Sequence, residues 1–409
     1  MTSKLTTGLV LAASLTAAHA GSGLYYVPND TEESIPIKWS VGTNLTWDDN
    51  TSPGGVNDGD ENVSINPYVG VSFVAVTPQT TWDVYARLGL VYYFDDLAGT
   101  SDDTFSSSRA GVNLTHRFNE RLRFTSRNFI SYEMEPDYSY GFASSRQNSE
   151  YLYWQTDNSV GYRWSERVAT YTGIQFMGLE YDNIANADRT TWTAYNQFRY
   201  QLSPQSVLTA SYRYSETSAD GLASDSTNQY LLAGIEHRFS PNTILVANAG
   251  AQFRSVDGIG GRDSTSPFLE LALRSQINTQ FGIRAFTRLG MEDYDTVVQS
   301  GPGLAEYSDK LTLRVGVSGD YQVSKFLGFF GGVDVITSSF DDGTFVTGPV
   351  GTSAPGADEA IVNAYIGTSL RFTDTITGSV TYNFTNSDSD VIGRDYDRNR
   401  VSVGVQAEF

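Results

Sequence analysis

The feature that most constrains this chain is its punctuation. Short polar turns recur along it: Thr77-Pro78-Gln79, Asn119-Glu120-Arg121, Ser165-Glu166-Arg167, Ser203-Pro204-Gln205, Ser240-Pro241-Asn242, Asn278-Thr279-Gln280, the turn around Ser324-Lys325, and Thr373-Asp374-Thr375. Between successive turns the chain makes one excursion of roughly 40 residues: an extended segment out, a polar loop, and an extended segment back. A regular series of this kind describes consecutive antiparallel hairpins, the construction of a closed barrel.

The extended segments alternate. Val401, Val403, Val405, Ala407 and Phe409 share one face of the last segment, while Arg398, Arg400, Ser402, Gly404, Gln406 and Glu408 share the other. Strand side chains alternate faces with period two, so one face is oily and the other wet. The same split recurs where Leu269, Leu271 and Leu273 oppose Glu270, Arg274 and Gln276, and where Trp82, Val84, Ala86, Leu88 and Leu90 oppose Asp83, Tyr85 and Arg87. Two segments depart from it. Leu122 to Glu133 places Ser126 and Asn128 on the face that should be oily, and 151–164 is mixed.

The pattern predicts strand cores at 37–47, 64–76, 80–94, 107–118, 122–133, 151–164, 168–181, 190–202, 206–217, 228–239, 243–256, 266–277, 281–294, 310–322, 327–339, 360–372, 376–386 and 398–409. The expected fold is all-β, an antiparallel up-and-down transmembrane barrel of about eighteen strands, or sixteen if one weak pair is wrong, with both termini on the periplasmic side of the tight turns. A tilted strand needs about 9 to 11 residues to cross hydrocarbon, which these segments supply. Phe118, Trp164, Phe239 and Phe372 fall before tight turns, and Trp47, Tyr132, Tyr181 and Tyr294 fall near long loops, as two interfacial girdles would require.

The first residues form a different unit. Lys4 precedes the apolar and small-residue run from Leu5 to Ala17, and Ala18-His19-Ala20 has the form of a cleavage site, so residues 1–20 are expected to be a signal peptide. Residues 21–36 follow as a short periplasmic segment without a folded plug, and 37–409 as the barrel. The mean hydropathy is negative, which suits a barrel because only alternate residues face lipid. The formal net charge of −20 argues against nucleic-acid binding, which needs clustered Lys and Arg. The acids concentrate in the expected loops, at Asp48-Asp49, Asp58 to Glu61, Asp95-Asp96, Asp102-Asp103, Asp341-Asp342 and Asp388 to Asp390.

The wet faces carry the candidate site. Alternation assigns Asp83, Arg87, Arg109, Arg199, Arg213, Glu236, Arg254, Glu270, Arg274, Arg284, Arg288, Arg314 and Asp320 to the lumen, with Arg117, Arg238, Arg371, Arg398, Arg400, Glu292, Asp334 and Glu408 beside them. Eighteen strands enclose a channel, whereas eight are filled by side chains. A basic lumen under an acidic mouth would favour anionic or sugar-like solutes. Equally, the arginines could neutralise wall acids across strands. The loops at 134–150 and 340–359 are candidates to fold inward.

Catalysis finds little support. After the signal segment only His116 and His237 remain, in the matching contexts Thr115-His116-Arg117-Phe118 and Glu236-His237-Arg238-Phe239. Alternation points both outward, away from any cleft in which a partner could orient them. There is no cysteine, so no thiolate site exists. The run Asn57-Asp58-Gly59-Asp60-Glu61-Asn62 has oxygen ligands but not the spacing of a twelve-residue calcium loop. No cofactor is expected.

The chain resembles Gram-negative outer-membrane β-barrels and, more narrowly, the β-barrel porin group associated with exopolysaccharide operons. The resemblance rests on the opening strand Val41-Gly42-Thr43-Asn44-Leu45-Thr46-Trp47 followed by Asp48-Asp49-Asn50, on the run of hairpins, and on the final strand ending at Phe409. It implies a non-catalytic porin-like channel for passive diffusion of small hydrophilic solutes or, alternatively, a barrel accessory to polysaccharide export. It implies outer-membrane lipid and lipopolysaccharide as surroundings, polysaccharide or small anionic or sugar solutes as ligands, and recognition of Phe409 by the barrel-insertion machinery.

Overall fold

The computed structural model describes residues 34–51, 59–97, 102–134, 150–182, 188–259, 261–294 and 296–409. The signal-peptide expectation, most of the segment before β1, residues 135–149 of the expected 134–150 loop and the residues Asn57-Asp58 lie outside them. The strands are β1 (Ile35–Asp48), β2 (Asn62–Val76), β3 (Thr80–Tyr93), β4 (Thr104–Arg117), β5 (Leu122–Glu133), β6 (Tyr151–Arg163), β7 (Val168–Tyr181), β8 (Arg189–Ser203), β9 (Ser206–Ala219), β10 (Ser226–Ser240), β11 (Thr243–Val256), β12 (Asp263–Gln276), β13 (Phe281–Met291), β14 (Val297–Ser300), β15 (Gly303–Gln322), β16 (Leu327–Phe345), β17 (Ala357–Arg371), β18 (Ile376–Ser389) and β19 (Tyr396–Glu408). Each wall strand pairs antiparallel with its neighbours in sequence. β1 closes the sheet on β19, in register from Ser40↔Glu408 to Asp48↔Arg400. The result is a closed wall of eighteen strands, because β14 pairs only with β15 and stands outside the wall. Closure leaves no sheet edge unpaired.

Both ends of the described chain lie at the end of the barrel that carries the tight turns, where Trp39 and Phe409 exchange backbone hydrogen bonds of 3.0 and 2.8 Å. The turns are set by their own side chains. Asn119 Oδ1 accepts from the N–H groups of Arg121 and Leu122, and Asn278 Oδ1 accepts from those of Gln280 and Phe281. A short Asn side chain mimics a backbone turn in this way, which is why such residues punctuate the sequence. β1 starts at Ile35, before its expected core, and its pairing with β2 shifts register between Ile35 and Lys38, around Pro36, which lacks a ladder donor.

Alternation sorts the faces as expected. Val41, Leu88, Leu231, Phe253, Ile366 and Val403 are exposed on the outer face. Phe118, Trp164, Phe239 and Phe372 ring the turn end, each more than half exposed. The loop-end girdle is smaller than expected. Trp47 and Tyr132 face outward, but Tyr181 packs against the buried Tyr151, and Tyr294 points into the barrel.

Where tyrosines line the inner face, glycine on the neighbouring strand makes room for them. A Cβ at Gly111 or Gly173 would overlap the rings of Tyr85 and Tyr195. An aromatic ring lying over a strand glycine shields the backbone that the glycine exposes.

The largest departure from expectation is at the loop end. β15 and β16 run on past their expected cores, to Gly303 and Phe345, so the expected loop 340–359 shrinks to 346–356. The extension is held by a separate apolar cluster of Val298, Ala305, Tyr307, Phe340, Phe345, Ala354 and Val391. Tyr307 Oη donates to Pro355 O at 2.6 Å. Phe340 and Tyr307 meet edge to face at 5.5 Å. These residues have their own core above the wall, so they need neither lipid nor lumen.

Candidate functional site

The inner face is a field of arginines, and acids hold many of them. Arg199 on β8 makes a bidentate pair with Glu236 on β10, at 2.6 and 2.7 Å, with both side chains almost fully buried. Arg213 on β9 reaches Glu270 on β12 at 3.1 and 2.9 Å. Three strand steps correspond to roughly 14 Å along a sheet, so the side chains bridge across the concave wall and over the strands between. Arg109 pairs with Glu133, Arg314 with Glu292, Arg254 with Asp293, and Arg398 with Asp48. A carboxylate matches the planar guanidinium fork, which is why arginine rather than lysine suits these sites.

The wall also sets arginines side by side. Register places Arg87 opposite Arg109, Arg274 opposite Arg284, and Arg288 opposite Arg314. Like charges directly opposite repel. Glu133 and Glu292 neutralise one member of two of these pairs. The other members are left toward the interior. Arg87 donates to Asn66 Oδ1 at 3.0 Å and lies 3.7 Å from the Tyr68 ring centre. Arg274 and Arg284 are exposed near the turn end. Asp83 accepts from Asn113 at 3.3 Å, and Asp320 is in register with Gly282. Some arginines thus cross-link wall acids, while Arg274 and Arg284 are exposed.

One element was not legible in the sequence. The expected strand core 281–294 ends early, at Met291, and Glu292-Asp293-Tyr294 turns inward. Gln252 on β11 takes the place of a neighbouring backbone there: its Nε2 donates to Met291 O at 3.0 Å, and its Oε1 accepts from Met291 N at 2.8 Å. Asp293 then meets four wall residues. It accepts from Ser226 Oγ at 2.5 Å, from Asn228 Nδ2 at 3.2 Å and from Thr217 Oγ1 at 3.4 Å, and it pairs with Arg254. Tyr294 Oη lies 3.3 Å from Met177 Sδ on β7. So this connection folds inward across β7–β11. Burial pushes the Asp293 carboxyl up, but Arg254, the Ser226 hydroxyl, Arg189 and the Asn228 amide outweigh it and hold its pKa below the usual carboxylate range. For Glu292 the opposing effects are again burial, which raises, and Arg314 with Lys310 and Arg288, which lower and prevail. The signal in the sequence was the acid doublet Glu292-Asp293, which breaks alternation at the end of a strand.

Beneath this connection is a cavity of about 220 Å³, lined by Arg127, Asp157, Tyr171, Tyr195, Arg213, Arg288 and Tyr294 among others. Tyr195 Oη donates to Asp157 at 2.7 Å. The lining therefore mixes aromatic hydroxyls, guanidinium donors and a few acceptors, a chemistry that holds oxygen-rich solutes.

The histidines are outside this region. His116 Nδ1 lies 2.8 Å from Thr80 Oγ1, and His237 Nδ1 lies 2.8 Å from Ser206 Oγ. Each ring packs edge to face on an outward phenylalanine, Phe118 or Phe239. Among the described residues no cluster of acids and histidines could hold a metal ion.

No protein-family model matches the sequence, and no curated protein matches it. Among solved structures the chain is similar to Acinetobacter baumannii OccAB4, with 12% identity, a TM-score of 0.46, and coverage of 93% of this chain and 100% of that one. It is similar to Pseudomonas aeruginosa OpdK crystallised with vanillate, with 12% identity, a TM-score of 0.47, and coverage of 91% and 99%. It is also similar to P. aeruginosa OccK2 (OpdF) in complex with glucuronate, with 11% identity, a TM-score of 0.48, and coverage of 92% and 99%.

Proposed function

We propose that the chain is an integral outer-membrane channel of a Gram-negative envelope, through which small hydrophilic solutes diffuse passively and anions are favoured. The observation that carries this reading is a closed eighteen-stranded wall with an apolar outside and an arginine-rich inside. Such a wall is stable only with lipid around it, and a barrel of this size encloses a water-filled lumen. Arg87, Arg274, Arg284 and Arg288 supply fixed positive charge along the path, and the inward Glu292–Tyr294 connection narrows it. Phe409, exposed at the end of β19, is the contact for the insertion machinery. The role in this reading is transport; both histidines pack on outward phenylalanines, away from the lumen.

The test is swelling of proteoliposomes in isotonic arabinose and in sodium glucuronate. The channel predicts faster swelling than in empty vesicles, with glucuronate entering more readily than a cationic sugar amine of the same size. Vesicles that stay impermeable to all three would overturn it. They would also favour the alternative of the narrower resemblance, a closed barrel accessory to polysaccharide export.

A further inference from the structure

The outer face is not uniformly oily. On β5 to β8 its middle is polar. Register sets Ser126 opposite Asn158, Asn128 opposite Thr156, and Thr172 opposite Asn196. They form two hydrogen-bonded groups that adjoin on the diagonal between β6 and β7, where register sets Asn158 opposite Ile174 and Thr172 opposite Val160. Thr156 Oγ1 donates to Asn128 Oδ1 at 2.7 Å, and Asn158 Nδ2 donates to Thr156 Oγ1 at 2.9 Å. Asn128 Nδ2 donates to Ser126 Oγ at 3.1 Å, and Asn196 Nδ2 donates to Thr172 Oγ1 at 2.6 Å. Among the described residues, no donor reaches the amide oxygens of Asn158 and Asn196.

The patch lies inside the apolar band. Trp154 on the same face of β6 and Trp164 just past its end bracket Thr156 and Asn158. The bracket spans about ten residue steps, roughly 33 Å along a strand. At a tilt of about 40° that is close to 25 Å in height, the usual height of a barrel's lipid-facing band. Among the described residues, the other outward strand amides, Gln229, Asn386 and Asn399, stand near the loop ends of their strands. Lipid tails offer these amides nothing to bond. An amide is at once donor and acceptor, so a patch of amides and hydroxyls is complementary to itself across a two-fold axis.

Resting on the channel reading, we infer that the outer face of β5–β8 is an interface, and that its partner is a second copy of this chain, docked patch to patch. The amides bond across the axis, and the patch leaves lipid.

The natural absence of cysteine makes the test direct. Asn158→Cys and, as a control on the far wall, the outward mid-strand Ala364→Cys are each oxidised in native membranes and run on a non-reducing gel. Cross-linked dimer is expected for Asn158→Cys and at least tenfold less for Ala364→Cys. In detergent, light scattering gives a dimer mass for the unmodified chain and a monomer mass for Asn128→Leu/Asn158→Leu/Asn196→Leu, whose heat-modifiable band shows that it folds. A monomeric unmodified chain, equal cross-linking at both sites, or a dimer indifferent to the triple change would each overturn the interface. A monomer that still admits solutes leaves the channel reading intact, whereas a patch-dependent dimer that admits none overturns the channel and keeps the interface.

Discussion

Asp293→Ala removes the anchor of the inward connection. The carboxylate gathers Ser226, Asn228, Thr217 and Arg254 from β9, β10 and β11. A hydrogen bond to a charged group contributes about 1.5 to 3 kcal/mol, and removing one partner of a buried ion pair costs about 3 to 5 kcal/mol. The Asp293 side chain keeps 16% exposure, so the lower end applies, about 3 kcal/mol. That shifts the balance of docked to undocked connection on the order of a hundredfold. The Gln252 clamp on Met291 and the Arg314–Glu292 pair remain, so the strand end holds while the tip releases. Single-channel recording in planar bilayers should show a larger mean conductance with added flicker. Asp293→Ala/Arg254→Ala should recover part of the lost thermal stability, because the stranded guanidinium is gone, but not the original conductance. The sign with pH follows from the depressed carboxyl. Its contribution is complete above the unfolded carboxylate value of about 3.9 and is lost as pH falls through the lower folded value. The native channel should therefore keep its conductance through mild acid and change only below that range, while Asp293→Ala should lack this step. An unchanged conductance together with an unchanged melting temperature would refute the anchoring argument.

Other perturbations read other parts of the structure. Arg199→Met leaves Glu236 buried without its partner and should cost about 3 to 5 kcal/mol in urea unfolding from lipid, with Arg199→Met/Glu236→Met recovering most of it. Gly173→Val should push Tyr195 off its glycine and away from Asp157, at a cost of about 1 to 3 kcal/mol and with altered conductance. Removing Phe409 should lower the amount of barrel in outer-membrane fractions while leaving folding into detergent intact, since only its backbone pairing with Trp39 is lost.

The wall was legible because its signals are local. Turn chemistry at Asn119 or Asn278 and alternation on β3, β12 and β19 each depend on a few adjacent residues, and closure then follows from strand count. The inward face was readable for the same reason. What the face does was less so, because Arg213–Glu270 and Arg199–Glu236 join residues on non-adjacent strands, and no periodicity encodes such a bridge. The inward turn at Glu292 was hidden because Phe281 to Met291 alternates normally up to the break. The length of β15 and β16 was underestimated because Tyr307, Phe340 and Phe345 are held by their own cluster beyond the belt. The polar interruptions at Ser126 and Asn128 read as defects in a strand; set beside Thr156, Asn158, Thr172 and Asn196 they become a surface.

The central claim is a water-filled lumen whose fixed charge is positive, and the reversal potential of the purified protein in a planar bilayer under a tenfold KCl gradient tests it most directly. The account predicts stepwise ohmic currents with a reversal potential on the chloride side of zero, moving toward the potassium side in Arg274→Glu/Arg284→Glu. The absence of current, or a potassium-selective current that this double change leaves unmoved, would contradict it.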